Sequence, residues 1–212
     1  MNIKLITLLF TGVFSCIIST ASFAGWIDWQ NTTTGNMDYN GTNVGVTLAG
    51  NAFGLNNGDY YYNNTATGGT DPSGTYAGLA PTDLIHVSSA GSFTLTFDQE
   101  VDDLYMALVS VGQPNNNFVT YSFEDEFSVE SQGANYWGYN GYTATSSELT
   151  GHEFNGILLF EGSFTSISFD VLDNEYWHGF NFGTVNSVPE PGTLFLLLSG
   201  MVGIFAARRR TV

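Results

Sequence analysis

The chain of 212 residues predicts an all-β fold, a single β-sandwich, and three features of its middle, residues 25–185, support this. Apolar residues tend to alternate with polar ones, which is the pattern of a strand with one buried face. Gly, Asn, Asp, Ser and Thr separate these stretches densely, as turn residues do. No stretch of the middle combines sustained helical periodicity with capping residues. The middle is long enough for one domain with a substantial core, and a jelly roll is one topology that fits.

Several stretches are predicted to be strands, for three different reasons. Some alternate between apolar and polar residues, and others are continuously apolar, as strands buried on both faces are. The rest are rich in aromatic and β-branched side chains. In chain order these stretches are residues 44–48, 93–97, 104–111, 118–123, 156–160, 167–171 and 177–185. Together with shorter strands between them, we expect roughly eight to ten strands.

Residues 1–24 have the three parts of a secretory signal peptide. A lysine near the start precedes an apolar segment, and small residues stand at the positions that a signal peptidase recognises. We therefore expect export through the secretion translocon and cleavage between Ala24 and Gly25. The alternatives are a retained membrane anchor, for which the apolar run is short, and lipoprotein processing at Cys16. Otherwise Cys16, the one cysteine, leaves with the signal peptide, which excludes thiol chemistry from the mature chain.

The C-terminal residues 186–212 contain a Pro-Glu-Pro motif, an apolar helix and a basic end. The motif is Pro189, Glu190 and Pro191, the predicted transmembrane helix is residues 192–207, and the basic end is Arg208, Arg209 and Arg210. At ~1.5 Å per residue the fifteen apolar residues 193–207 reach about 22 Å, so the helix spans a ~30 Å hydrocarbon core only marginally. The arginines would stay cytoplasmic under the positive-inside rule. The acidic middle would then face the far side of the inner membrane.

This tail resembles the PEP-CTERM sorting signal of Gram-negative bacteria, which has the same three parts in the same order. The resemblance implies recognition by exosortase, a membrane-embedded cysteine transpeptidase, with cleavage near the Pro-Glu-Pro motif and loss of the helix. It also implies a surface or matrix protein of a bacterium that makes exopolysaccharide. Residues 104–114 and 175–180 resemble segments of other PEP-CTERM surface proteins, which implies a shared β-rich ectodomain without a defined activity. An ordinary tail anchor with a chance Pro-Glu-Pro is the alternative.

The middle of the chain is strongly acidic and holds no lysine or arginine. All four Lys and Arg lie in the two end segments, whereas only Glu190 of the 20 Asp and Glu does. A lysine Schiff base, a Walker lysine, an arginine finger and a basic nucleic-acid groove are therefore excluded from this domain. We interpret most of the carboxylates as a solvated surface that keeps an exported acidic protein soluble.

Histidines offer few candidates for catalysis. The three histidines are His86, His152 and His178. His152 and Glu153 begin like a zinc-protease helix, but Gly156 stands where the second histidine belongs. His178 beside Trp177 could be catalytic or sugar-binding, although a lone histidine is more often structural.

Carboxylates and loop aromatics are the other candidates. The carboxylates are grouped as Glu124-Asp125-Glu126, as Asp102-Asp103, and more loosely as Asp170, Asp173 and Glu175. A glycosidase needs two carboxyls that face each other, and a spacing in the sequence does not supply that geometry. Calcium is a possible ligand because hard cations take oxygen donors, yet no EF-hand spacing occurs and the metal ligands stay unknown. Aromatics in the Gly- and Asn-rich residues 51–78 and 133–151 could stack on sugars or anchor the loops.

These observations predict a secreted, non-enzymatic surface or extracellular-matrix protein that exosortase sorts. After a transient inner-membrane anchor, it would reach the cell surface or matrix and have a structural or binding role with exopolysaccharide. The alternative is a secreted carbohydrate-active enzyme with paired carboxylates. One deep cleft that holds a facing pair would favour the enzyme, and an aromatic-lined face would favour binding.

Overall fold

The computed structural model describes residues 25–57, 83–133 and 141–184 of the chain. These residues belong to a compact unit, Phe23–Ser187, and every described core residue lies within it. The unit therefore has the core that it needs to fold by itself. The predicted signal peptide, the Pro-Glu-Pro motif, the helix 192–207 and the basic end lie outside the described residues. In the described ranges, no helix is long and apolar enough to cross a membrane.

Twelve strands make up the regular structure of the described residues, and these contain no helix. In chain order the strands are β1 (Asp28–Trp29), β2 (Thr34–Tyr39), β3 (Thr42–Ala49), β4 (Gly54–Asn57), β5 (Asp83–Val87), β6 (Gly91–Val111), β7 (Val119–Phe123), β8 (Ser128–Gln132), β9 (Tyr142–Ala144), β10 (Glu148–Gly151), β11 (Phe154–Val171) and β12 (His178–Thr184). The predicted all-β class is confirmed.

Two long antiparallel strands, β6 and β11, run through the centre of the sheet. Along the main path the strand order is β1-β2-β3-β6-β11-β7-β10-β9. Off this path, β12 pairs with β6 and β5, β4 pairs with β5, and β8 pairs with β11. The first part of β6 pairs with β3, and its last part pairs with β12. The sheet therefore has two halves, one that contains β3 and one that contains β12, and β6 and β11 belong to both.

Irregular pairing separates these two halves. The register of β6 and β11 shifts between Phe160 and Ser163, and again between Phe164 and Ser166. Asp103 has a positive φ of 49° there, and its Oδ1 accepts a hydrogen bond of 3.0 Å from the Gly162 N–H. Bulges of this kind bend strands and increase their twist.

The two halves contribute aromatic rings to one core. The ring centroid of Phe180 in β12 lies 5.3 Å from that of Phe169 and 5.9 Å from that of Phe93, at the far ends of β11 and β6. Phe123 of β7 similarly lies 5.0 Å from Phe160 of β11. The sheet therefore folds over a common core. A sandwich of two separate sheets stays a prediction, because the described strands form one connected network.

Most predicted stretches coincide with strands, but their number and lengths differ. Residues 93–97 and 104–111 belong to the single strand β6, and residues 156–160 and 167–171 belong to β11. The polar residues between each pair of stretches do not end a strand, because the chain continues through the bulges. The twelve observed strands also exceed the expected eight to ten, since short strands such as β1 and β9 carry little sequence signal.

A buried amide ties the N-terminal segment to the sheet. Asn181 in β12 is fully buried, and its Oδ1 accepts a hydrogen bond of 2.9 Å from the Trp29 indole N–H. Its Nδ2 donates to the carbonyls of Ile27 and Asp83, each at 3.0 Å. Buried polar groups need such partners, and here the partners lie on two separate segments, the N-terminal segment and β5. Asn181 thereby fixes how β1, β5 and β12 meet.

Candidate functional site

A cavity of about 430 Å³ lies where the end of β6 meets the segments that precede β11 and β12. We name it the Glu153–Glu175 cavity after its two buried carboxylates. Its lining residues are Ser110, Gln113, Pro114, Asn115, Asn116, Glu153, Glu175, Tyr176 and Trp177. The volume falls within the range of about 300–1,000 Å³ that is usual for ligand pockets.

The backbone around the cavity is held in unusual conformations. Ser110 and Glu153 have positive φ angles of 56° and 68°, which non-glycine residues rarely adopt. Both contact the fully buried Asn155, whose Oδ1 accepts a 2.8 Å hydrogen bond from the Ser110 N–H. The Asn155 Nδ2 donates to the Glu153 carbonyl at 2.9 Å. One amide therefore braces two strained residues, and strain of this kind tends to concentrate at functional sites.

Gly112 follows this strained segment and allows close approach of the next chain. Its φ is +75°, and a Cβ at this position would collide with the carbonyl oxygen of Gly151. Its N–H donates a 2.8 Å hydrogen bond to Oε2 of Glu175, which is buried. Only glycine therefore fits here without strain.

Glu175 also contacts His178, so its carboxylate has two neighbours. The His178 Nδ1 lies 3.2 Å from the same Oε2, within ion-pair distance, although the angles are not those of a hydrogen bond. Both side chains are buried, at 3% and 0% exposure. The His178 ring packs edge-on against Tyr121, with centroids 5.7 Å apart. His178 thus belongs to the wall behind the cavity rather than to its lining.

Of the two carboxylates, Glu153 has fewer polar neighbours to offset the cost of its burial. Burial raises its pKa from 4.5 to about 7, the Ser110 hydrogen bond opposes this, and the Glu175 charge adds to it. The side chain is 5% exposed, and its Oε1 is buried without a hydrogen-bond partner. Burying such an oxygen costs free energy unless a proton or a cation satisfies it.

Aromatic side chains lie along one edge of the cavity. Tyr176 is 90% exposed, and the neighbouring Trp177 ring lies 5.5 Å from that of His86. His86 in turn lies 4.7 Å from Phe53, which is itself 72% exposed. Burial lowers the pKa of His86, so the imidazole tends to be neutral in this row of rings. The cavity therefore has both a polar interior and an aromatic rim.

Of the other predicted carboxylates, Glu124 and Asp170 line a second cavity of about 340 Å³ together with residues of β6, β7 and β11, and Asp102 and Asp173 do not line it. Asp102 accepts hydrogen bonds from the Ser163 and Tyr39 hydroxyls, and Asp173 accepts one from the Thr120 N–H. Within the three described ranges, no three His, Cys, Asp or Glu side chains lie close enough together to hold a metal ion.

The sequence pointed to some of these residues and missed others. His152, which resembled part of a zinc motif, stacks on Phe118 with ring centroids 4.0 Å apart. Glu153 drew attention only through that motif, although it is the carboxylate with the raised pKa. The predicted loop aromatics at residues 58–78 and 134–140 lie outside the described residues. The one available signal was that the two segments resembling other surface proteins, 104–114 and 175–180, both reach this cavity.

Comparison with known proteins identifies the C-terminal segment. The family model of the PEP-CTERM protein-sorting motif matches residues 187–210, which include Pro189–Pro191 and Arg208–Arg210. No curated protein and no solved structure matches the chain. The motif indicates a secreted protein that exosortase processes and that is exported to the cell envelope or surface. The resemblance seen in the sequence is thus confirmed, and the chain is a PEP-CTERM domain-containing protein.

Proposed function

We propose that residues 25–185 form a non-enzymatic binding module of the extracellular matrix that holds exopolysaccharide in the Glu153–Glu175 cavity. The observation that carries this proposal is the pairing of a polar cavity with an aromatic rim. The exposed Tyr176 and the half-buried Trp177 offer flat apolar faces for sugar rings. Gln113, Asn115 and Asn116 line the same cavity, and side-chain amides can hydrogen-bond sugar hydroxyls.

The proposed route to the matrix follows from the two ends of the chain. Signal peptidase would cleave between Ala24 and Gly25, and residues 192–207 would anchor the protein in the inner membrane for a time. Exosortase would then act near Pro189, Glu190 and Pro191 and release the acidic unit to the surface. The family match at residues 187–210 supports this last step.

A glycan array with the purified domain of residues 25–185 tests the binding role. Variants Tyr176→Ala and Trp177→Ala should lose most of the signal on any glycan that the wild type binds, because stacking area is removed. Leu172→Ala is the matched control, since Leu172 is an exposed apolar residue, at 51%, that does not line the cavity. A wild type that binds no glycan, or rim variants that bind as well as the control, would contradict the proposal.

A carbohydrate-active enzyme is the second candidate function. Its supporting observation is that Glu153 and Glu175 line one cavity while the pKa of Glu153 is raised to about 7. A glycosidase uses such a pair as a protonated acid and an ionised partner. Glu153→Gln and Glu175→Gln would each abolish the release of reducing ends from a bound polysaccharide. If the wild type binds a glycan and releases no reducing ends over days, the enzyme is excluded for that glycan.

A further inference from the structure

We infer that the ligand of the Glu153–Glu175 cavity is an amino sugar, a saccharide unit with a free ammonium group that lies against Glu153. This rests on the proposed glycan-binding function and deepens it. The starting point is a charge that the chain leaves without a partner. Residues 25–185 contain no lysine or arginine, so the histidines are the only side chains there that can become cationic by taking up a proton.

The groups around Glu153 do not supply a positive charge. The Ser110 hydroxyl hydrogen-bonds to it, and the Glu175 carboxylate repels a second negative charge. The His178 Nδ1 lies 3.2 Å from Oε2 of Glu175, and the His152 ring stacks on Phe118. Glu153 is only 5% exposed, and its Oε1 has no hydrogen-bond partner. An ammonium group that enters the cavity would provide the missing positive charge beside the Glu153 carboxylate.

The remaining lining selects a sugar among ammonium compounds. A ring with an apolar face fits Tyr176 and Trp177, and a cation next to those rings gains a further attraction. The amides of Gln113, Asn115 and Asn116 match hydroxyl groups, which the carbon chain of a lysine or a polyamine lacks. A metal ion is a poorer match, because the described part of the chain brings no three His, Cys, Asp or Glu together for one.

Binding of an ammonium group must be coupled to the protonation of Glu153. The folded protein holds the Glu153 pKa at about 7, so at pH 6 roughly nine in ten molecules carry the proton. The ammonium favours the ionised carboxylate, and the proton is released to buffer when the ligand binds. As the pH increases toward 7, the affinity for the ammonium ligand should therefore increase by up to about tenfold per pH unit.

Isothermal titration calorimetry with the domain of residues 25–185 tests this assignment. The probes are a glucosamine tetramer, the matched N-acetylglucosamine tetramer and a glucose tetramer, at pH 6 and pH 7. We expect the glucosamine tetramer to bind at least about tenfold more tightly than the other two and to release a proton. Proton release is measured as the dependence of the heat on the ionisation enthalpy of the buffer.

Two variants separate the role of Glu153 from a general effect of charge. Glu153→Gln keeps the shape of the protonated side chain and should remove both the preference for the amine and the proton release. Glu148→Gln is the control, because Glu148 is exposed on β10 and does not line the cavity. If Glu153→Gln does not fold, the proton release of the wild type alone decides the question.

The possible failures are distinguishable. Equal affinity for the amino and N-acetyl tetramers would overturn the amino-sugar assignment and leave the glycan-binding function standing. Binding of tetralysine as tight as that of the glucosamine tetramer would also overturn it, since the ammonium would then come from a peptide. If no saccharide of any kind binds, the proposed function fails together with this inference.

Discussion

Replacing Glu153 by glutamine should stabilise the protein at neutral pH and leave its stability almost unchanged near pH 4.5. Burial raises the pKa of Glu153 from 4.5 to about 7, so the folded state binds the proton more tightly than the unfolded chain does. The stability that this proton provides is fully present below about pH 4.5 and is lost as the pH rises through about 7. Glutamine carries no titrating proton, so the variant does not show this loss.

The size of the effect follows from the two pKa values. The difference between 4.5 and about 7, at 1.36 kcal/mol per pH unit, corresponds to about 3 kcal/mol. For a domain of this size, that amounts to a change of about 6–12 °C in Tm. Glu153 lines a cavity that solvent can enter, and screening there makes this value an upper limit.

Thermal and urea unfolding of wild type and Glu153→Gln between pH 4.5 and 8 would measure the effect. Burial also raises the pKa of Asp83 and lowers that of His86, but both groups are present in both proteins and cancel in the difference. Glu148→Gln, which removes an exposed carboxylate from β10, controls for the change in net charge. A difference between wild type and Glu153→Gln that stays constant with pH would refute the reasoning.

Three further predictions concern the backbone, the charge and the route of export. Gly112→Ala should cost several kcal/mol more than Gly41→Ala in urea unfolding, because the φ angles are +75° and +78° but only Gly112 has no room for a Cβ. Adding salt from low ionic strength should raise Tm modestly by screening, and calcium, magnesium and sodium should give equal midpoints at matched ionic strength. A higher midpoint in calcium would instead reveal a specific site. Intact-mass measurement in a host with exosortase should give a protein that begins at Gly25 and lacks residues 193–212, whereas replacement of Glu190 should leave the tail in place.

The fold class was predictable because its signal is local. Alternating apolar residues mark β3 and the outer part of β6, and the observed burial follows that alternation. The full length of β6 was not predictable, because Asp102 and Asp103 look like turn residues in the sequence. In the structure their carboxylates accept hydrogen bonds from Ser163 and Gly162, so they hold a bulge inside a continuing strand.

The cavity was not predictable, because its residues are brought together by strand register and not by spacing. Glu153 reaches Ser110 because Phe154 is paired with Val111 at the start of the β6–β11 ladder. Glu175 reaches the same place through a hydrogen bond from the Gly112 N–H. In a chain with 20 Asp and Glu, no single pair stands out before this register is known. The desolvation that raises the pKa of Glu153 likewise exists only once the core has formed.

The absence of lysine and arginine from residues 25–185 links the stability of this domain to its proposed binding. In most domains a buried carboxylate is balanced by a cationic side chain, but here the histidine next to the pair, His178, contacts Glu175. A proton or a ligand must therefore balance Glu153, and the two compete for the same oxygen atoms. If this is correct, the pH dependence of unfolding and that of amino-sugar binding must both bend at the same pH, about 7. Bends at two different pH values would mean that a different group controls binding.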